Sequence, residues 1–357
     1  MLAVLAALTM SAAAGAAPLN GTIPHAEDAV EDADWMIGAV IPDGPMAGAL
    51  ALYPDRLHIR PYQANVGCLG LARATQVSGK AAYLDAAWRH LEWYGSHQDP
   101  AGYVTDYDLK DGHWASTGHY DSTDAYAGTF LLAVWAAFRV SGDQERLKAL
   151  HAALQRAVNA IESTRQSDGL TWATPTYHVK YLEDNVEACA GLLAAAALAR
   201  NLADGGLARQ AAAAASAMEK GIESLWSDLR YDYAWARHES GAVQVPNWSV
   251  LSPDAMEEGW RAAFGLEGSH RASILLRHLD QSQPAWDQPA PASRNYDVIP
   301  LGWGFWFAGE PARAEQAASN FRKSALETRR AWPFMVADCG ELILLETNGE
   351  ELLLNHE

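Results

Sequence analysis

The sequence contains little cysteine, and its cysteines form no metal-binding pattern. The 357 residues include three, Cys68, Cys189 and Cys339, and no two of them have Cys-x-x-Cys spacing. Because cysteine-based zinc sites depend on such spacing, we expect no zinc. One disulfide with a spare thiol is an alternative. We favour three buried thiols, since an unpaired cysteine behaves as a small hydrophobic residue.

Basic residues are also scarce. There are 26 Lys and Arg against 44 Asp and Glu, which gives a net charge of −18. No basic stripe is available to neutralise phosphates, so we expect neither nucleic acid nor an anionic membrane surface as a partner. A strongly anionic polymer is for the same reason a less natural substrate, unless a local basic pocket binds it.

Long apolar runs are absent beyond the N-terminus, so we expect no membrane insertion. Residues 1–17 form an apolar run that ends in small residues with an Ala-x-Ala-like site. This pattern predicts a signal peptide and a secreted or periplasmic protein, although the usual basic beginning is missing. The alternative is an N-terminal arm that packs on the domain. The run is too short, and too interrupted by Ser and Gly, to span a membrane.

Strand signals are sparse, whereas helical periodicity recurs along the chain. Helices that follow long aromatic and acidic loops alternate with helices that follow tight turns, which indicates one repeated helical hairpin. The predicted helices lie at about 26–37, 62–76, 81–97, 122–140, 144–165, 183–202, 207–226, 253–264, 269–281, 298–307, 312–328 and 335–347.

This alternation predicts an all-α fold with a single domain over residues 18–357. Six hairpins closed into an (α/α)6 toroid would account for so large a helical core, with the helix at 26–37 completing the ring beside the last helix. Apolar and polar residues alternate at about 228–250, and this pattern is compatible with a small β-hairpin. An open helical solenoid is the alternative, but the repeats are uneven in length.

The starts of the loop-preceded helices are polar and aromatic. If these helices form the inner wall, all six N-termini open on one face. The stretch YDSTDAYAGTF, from Tyr120 to Phe130, is the richest of them. Asp121 and Asp124 have the spacing of a capping box, which makes Asp121 the predicted N-cap and puts Asp124 in the first turn. Helix capping alone is the competing explanation for both carboxylates.

In this hairpin alternation over about residues 26–347, and in these helix starts, the chain resembles the six-hairpin glycosidase superfamily. The resemblance implies a secreted toroid that hydrolyses glycosidic bonds of an oligo- or polysaccharide with a pair of carboxylates, without metal or cofactor. The same fold also includes sugar epimerases and lyases, so the fold leaves the reaction open.

Glycoside hydrolysis requires a protonated carboxyl at the leaving oxygen and an ionised carboxylate across the sugar ring. We predict Asp124 as general acid or base and Asp184 as the opposing carboxylate, with Glu187 as its rival. Asp121 would orient Asp124 or raise its pKa. An inverting mechanism is slightly favoured. The predicted sugar-binding residues are Tyr62, Gln63, Asn65, Asp106, Trp114, Tyr120, Tyr126, Tyr177, Lys180, Glu258, Trp260, Trp303 and Trp332. Core packing is the alternative for each Trp.

Two other classes of function remain open. An epimerase or lyase would need His or Tyr for proton transfer. A structure with His178 or His119 at the centre of the cavity, and no facing pair of carboxylates, would favour that class. A non-catalytic carbohydrate-binding protein would keep the aromatic residues while its acids cap helices or face bulk water. Neither a G-x-S-x-G elbow nor a nucleotide-binding glycine loop occurs in the sequence.

Overall fold

The computed structural model describes residues 25–289 and 296–349, and these ranges are predominantly helical. The predicted signal peptide lies outside them. No described helix is long and apolar enough to cross a membrane. The helices are α1 (Ala26–Ile37), α2 (Pro61–Ser78), α3 (Ala81–His97), α4 (Thr123–Ser141), α5 (Gln144–Ala149), α6 (His151–Thr164), α7 (Leu182–Asn201), α8 (Gly205–Glu223), α9 (Met256–Ala263), α10 (Ser269–Ser282), α11 (Leu301–Phe307), α12 (Pro311–Glu327) and α13 (Val336–Glu346).

The helices form a closed double ring. Helices α2, α4, α7, α9, α11 and α13 each pack against the next, and α13 returns to pack on α2. Because first and last inner helices touch, the structure is a toroid and not an open solenoid. Helices α3, α6, α8, α10 and α12 cover the outside, and α1 packs on α2 and α13. The predicted (α/α)6 toroid, with the N-terminal helix completing it, is confirmed.

Glycines let the inner helices approach closely. A Cβ on Gly70 in α2 would lie 2.3 Å from Cα of Gly340 in α13, and one on Gly191 in α7 would lie 2.4 Å from the carbonyl oxygen of Gly128 in α4. Only residues without a side chain permit these contacts. The centre of the ring is therefore narrow, and residues at the inner helix starts lie close together.

A buried ionic cluster fixes α1 in the ring. Asp32 of α1 accepts from Arg322 of α12 at 2.9 Å and from Nε of Arg330 at 2.8 Å. Arg322 also bonds Glu346, at the end of α13, at 3.3 Å. We call Asp32, Arg322, Arg330 and Glu346 the ring-closure cluster. It joins α1 to α12 and α13.

Short antiparallel strands occupy the loops before inner helices. Strands β1 (His58–Ile59), β2 (Tyr107–Lys110) and β3 (His113–Ser116) form one sheet. A second contains β4 (Val179–Tyr181), β7 (Ala236–His238) and β8 (Val243–Gln244), and a third pairs β5 (Trp226–Ser227) with β6 (Asp232–Tyr233). The β7–β8 hairpin, with Ala236 opposite Gln244, confirms the hairpin predicted at about 228–250. The β2–β3 hairpin was not predicted.

Several local predictions need correction. The N-cap of α4 is Ser122 and not Asp121, so the predicted capping box does not form. The helix predicted at 144–165 divides at Leu150 into α5 and α6. A π-helical turn, Leu251–Ala255, leads into α9. The three cysteines are free and buried, as expected.

Candidate active site

Acidic residues converge where the inner helices begin. Tyr62 of α2 donates its hydroxyl hydrogen to Glu187 of α7 at 2.8 Å, and the backbone N–H of Glu183 donates to Glu257 of α9 at 2.7 Å. Glu187 also raises the pKa of Glu341 in α13. Helix starts from around the ring therefore meet in one place. We call this group the bowl: Tyr62, Asp124, Glu183, Asp184, Glu187, Glu257, Asp338 and Glu341.

Glu187 is a buried carboxylate with one satisfied oxygen. Its Oε1 accepts from Tyr62 and, at 3.3 Å, from Nε1 of Trp260. Its Oε2 is buried without a hydrogen-bond partner among the described residues. Burial, and then the charge of Glu183, raise its pKa well above the ordinary value, and the two donors offset only part of that rise. The two hydrogen bonds favour its ionised form.

Asp184 lies one helical turn before Glu187 and keeps a little exposure, 8%. Burial raises its pKa well above the ordinary value, and the neighbouring charges of Asp124, Glu183 and Glu187 raise it further. Like-charge neighbours disfavour ionisation, as in paired catalytic carboxyls. Burial and these neighbours therefore favour the protonated form of Asp184, which can act as a proton donor.

Asp124 lies in the first turn of α4, as predicted, and its side chain is completely buried. Its Oδ2 accepts from the Thr171 hydroxyl at 2.5 Å, and its Oδ1 accepts from the backbone N–H of Ala125 at 3.1 Å. Burial raises its pKa to about 7, and the charge of exposed Asp121 adds to that. In addition to the effect of burial, the charge of Asp124 raises the pKa of Asp184.

The α13 side of the bowl was missed by sequence reasoning. Asp338 accepts from the backbone N–H of Met335 at 2.6 Å, and Glu341 lies one turn deeper with Oε2 buried and unpartnered in the described part of the chain. These two are the third and sixth residues of α13, as Asp184 and Glu187 are of α7. An Asp-x-x-Glu search of the inner helix starts would have found both pairs.

Aromatic residues line the mouth. The Tyr126 ring lies 5.9 Å from Tyr62 and 6.1 Å from Tyr120, and its hydroxyl donates to Asp106 at 3.0 Å. Arg60 also contacts Asp106, at 3.4 Å. These side chains form one wall above the carboxylates. The predicted sugar-binding roles of Tyr62, Asp106, Tyr120 and Tyr126 are compatible with this arrangement and stay predictions.

A second part of the rim is more exposed. Tyr177 is 52% exposed and its hydroxyl lies 3.0 Å from that of Tyr181, whose ring stacks on Trp235. Trp332 is 71% exposed and lies 6.3 Å from the Tyr53 ring. Exposed rings of this kind can stack on sugar faces. Gln63 and Trp114 are half-buried, the first in the first turn of α2 and the second in β3.

Five predicted sugar-binding residues have other roles in the structure. Asn65 is buried and donates a hydrogen bond to the carbonyl of Tyr126. Trp303 lies in the hydrophobic core, and its Nε1–H donates to the carbonyl of Glu341. Lys180 is buried in β4 and bonds both carboxylate oxygens of Asp168 at 2.7 Å. These contacts occupy the polar atoms of all three residues. The prediction that they bind sugar directly is therefore corrected.

The other two are Glu258 and Trp260, both buried. Glu258 accepts from the backbone N–H of Tyr233 in β6 at 2.8 Å, which holds its side chain against that strand. Trp260 gives its single N–H to Glu187, so it orients that carboxylate and does not stack on a sugar.

Comparisons with known proteins agree with this architecture. No protein-family model and no curated protein matches the sequence. A GH63 mannosylglycerate hydrolase from Thermus thermophilus in complex with glucose superposes with a TM-score of 0.60 at 14% identity, over 90% of this chain and 99% of that one. A rhamnosidase from Klebsiella oxytoca with rhamnose bound gives 0.62 at 12% identity, over 92% and 66%.

A β-1,3-1,4-glucanase from Paenibacillus sp. X4 gives a TM-score of 0.60 at 13% identity, over 93% of this chain and 94% of that one. The chain has the (α/α)6 fold of six-hairpin glycosidases. At such low identity the likeness establishes the fold alone, and the chemistry must be argued from the bowl.

Proposed function

We propose that this protein is an exported glycoside hydrolase that cleaves glycosidic bonds of an oligo- or polysaccharide with the carboxylates of the bowl. The observation that carries the proposal is the proximity of Asp184 and Glu187, two carboxyls whose environments differ. Burial and like-charge neighbours raise the pKa of Asp184 with no hydrogen-bond donor among the described residues to oppose them, whereas two donors oppose the same effects at Glu187. Such a difference assigns acid and base roles.

In this proposal Asp184 protonates the leaving oxygen, because it is more exposed than Glu187 and its raised pKa favours the protonated form. Glu187 is the ionised carboxylate that assists attack, oriented by Tyr62 and Trp260. Asp124, which the sequence predicted as general acid or base, instead adds to the effect of burial in raising the pKa of Asp184. The choice between inverting and retaining chemistry depends on the separation of the two carboxyls in the substrate complex.

The structures of sugar hydrolases with the same fold support a carbohydrate substrate. Those proteins include a mannosylglycerate hydrolase, a rhamnosidase and a glucanase. The exposed rings of Tyr177 and Trp332 at the mouth are suited to stacking on further sugar units. The apolar run at residues 1–17 supports export, which cell fractionation of the natural host would test.

The alternatives are less well supported. His178 stacks on Trp172 and forms an ion pair with Glu239 at 3.1 Å, so it is engaged at the rim and not at the centre. Tyr62 is central, but burial and Glu187 raise its pKa well above the ordinary value, which disfavours the phenolate that a lyase base requires. A binding-only protein would not need buried, like-charged acids such as Asp184 and Glu187.

Purified protein incubated with a panel of neutral, acidic and amino-bearing glycans tests the proposal. We expect the wild type to release sugar from at least one of them and Asp184→Asn to release far less. Asp43→Asn, which makes the same change at an exposed turn, is the control and should match the wild type. Failure of the wild type on every glycan, or full activity of Asp184→Asn, would overturn it.

A further inference from the structure

The α13 side of the bowl carries two buried acids without a cationic partner. Asp338 and Glu341 are 2% and 7% exposed, and neither forms an ion pair with any described residue. Burial and neighbouring carboxylates, and no Lys, Arg or His, are the main causes that act on the pKa of Glu341. A buried carboxyl without a cationic partner is costly to ionise, so a cation that entered this side of the bowl would favour the ionised form of both acids.

Two buried oxygens point to a missing partner. Glu187 Oε2 on α7 and Glu341 Oε2 on α13 are both buried and lack a hydrogen-bond partner in the part of the chain that the structure describes. Their helices lie three places apart in the ring of six, and the two carboxylates still interact electrostatically. A ligand group that reached both oxygens would meet an unsatisfied carboxyl group on each side.

The cations nearest the mouth are already occupied. Arg60 bonds Asp108 at 3.0 Å and Lys180 bonds Asp168. Arg237 also reaches Asp168, at 3.1 Å. These side chains are held by the rim, so the described part of the chain offers the bowl no free guanidinium or ammonium from them. An acidic sugar in the bowl would meet several carboxyl groups and no cation from these three side chains.

A neutral hydroxyl would satisfy the hydrogen bond of either oxygen but would leave the negative potential unchanged. An ammonium supplies three N–H donors and a positive charge together, and charge-assisted hydrogen bonds are about twice as strong as neutral ones. In a site of low dielectric constant this difference is larger than in water.

We propose that the substrate of this bowl is an amino sugar whose ammonium group binds between Glu187 and Glu341, with Asp338 adding to the negative potential. This inference rests on the proposed function, because it names the substrate class of the same site. Within it, Glu341 determines specificity and has no part in proton transfer, whereas Glu187 contacts both the ammonium and the reacting sugar.

Binding of free sugars to the full-length protein tests the substrate class separately from hydrolysis. Glucosamine, galactosamine and mannosamine are each compared with the neutral parent sugar by calorimetry, at a pH where the amine is protonated. At least one amino sugar should bind about tenfold or more tightly than its parent, and the preference should shrink as salt is added.

Two variants with equal charge change locate the effect. Glu341→Gln should abolish the preference for the amino sugar while leaving binding of the neutral parent within about twofold, because the amide still forms hydrogen bonds. Glu145→Gln, at an exposed position on α5, should keep the full preference. Equal binding of amino and neutral sugars, no binding of either, or a preference that survives Glu341→Gln would overturn the inference.

The hydrolysis panel distinguishes the two failures. If neutral glycans are cleaved and amino sugars have no advantage, this inference fails and the proposed function stands. If amino sugars bind through Glu341 but no glycan is cleaved, the proposed hydrolase function fails while the binding site stands.

Discussion

The ring-closure cluster and the bowl both bury carboxylates, but they treat the charge differently. In the ring-closure cluster, burial raises the pKa of Asp32, and Arg322 and Arg330 oppose that rise. In the bowl, Asp184 is buried against Asp124, Glu183 and Glu187, which raise its pKa in the same direction as burial. The ring-closure cluster places guanidinium groups beside its acids, whereas the bowl places acids beside one another.

The difference indicates where the chain serves stability and where it serves chemistry. Guanidinium partners satisfy Asp32 and Glu346 and join α1 to α12 and α13. The acids on the bowl side of α7 and α13 have no such partner in the described structure, which costs stability. Strain of this kind is typical of functional sites, where a ligand completes the electrostatics.

The largest expected effect is on activity. Glu187→Gln removes the proposed ionised carboxylate, so hydrolysis should fall by about 10³-fold. The free energy of unfolding should not fall, because the amide no longer carries a buried charge and can still accept from Tyr62. Turnover measured beside a urea titration checks both. Retained turnover, or a marked loss of stability, would mean that Glu187 is structural.

The opposite result is expected in the ring-closure cluster. Arg322→Met leaves Asp32 and Glu346 without a main partner, which should lower the free energy of unfolding by about 3–5 kcal/mol. Turnover per folded molecule should match the wild type, because the ion pairs of Arg322 are with Asp28, Glu31, Asp32 and Glu346 and with none of the bowl acids. A variant as stable as the wild type would remove the distinction between the two clusters.

Two glutamates of α13 sharpen the comparison within one helix. Glu346→Gln weakens a bonded ion pair and should lower the free energy of unfolding by about 1–3 kcal/mol. Glu341→Gln removes an unpaired buried acid and should leave it unchanged or raise it by up to about 1 kcal/mol. Denaturant midpoints with matched slopes would measure both, and changes of the same sign would contradict the assignment.

The smallest effect is on pH dependence. Burial raises the pKa of Asp124 from 3.8 to about 7. Between about pH 4 and pH 7 the folded protein then holds a proton that the unfolded chain has released, so this contribution to stability falls as pH rises. Asp124→Asn cannot titrate, and its stability should fall less steeply over that window. Identical slopes for the two proteins would show that Asp124 is ionised throughout.

Much of the ring could be predicted because its signal is repetitive. The alternation of loop-preceded and turn-preceded helices predicted the bounds of α3 and α7 to within about one residue. The helix start that begins at Tyr120 correctly placed Asp124 in the first turn of α4. The rotation of individual helices could not be predicted. Inner helices are apolar around most of their circumference, so periodicity does not reveal which face meets the centre. Trp260 therefore bonds Glu187 while Trp303, similar in sequence context, packs in the core.

The missed residues have a different cause. Asp338 and Glu341 follow RAWPFM, a start with little acidic or tyrosine content, so composition drew no attention to them. Their spacing, shared with Asp184 and Glu187, was the available signal. The partners of Lys180 were also hidden, because Asp168 lies in a loop and meets it only through the fold.

The central claim is that the unneutralised acids of the bowl cleave glycosidic bonds while the neutralised acids maintain the ring. Its most direct test is turnover per folded molecule, on a glycan that the wild type cleaves, for Asp184→Asn and Arg322→Met side by side. We predict a loss of about 10³-fold for Asp184→Asn and no loss for Arg322→Met. Equal turnover of the two variants would contradict the account.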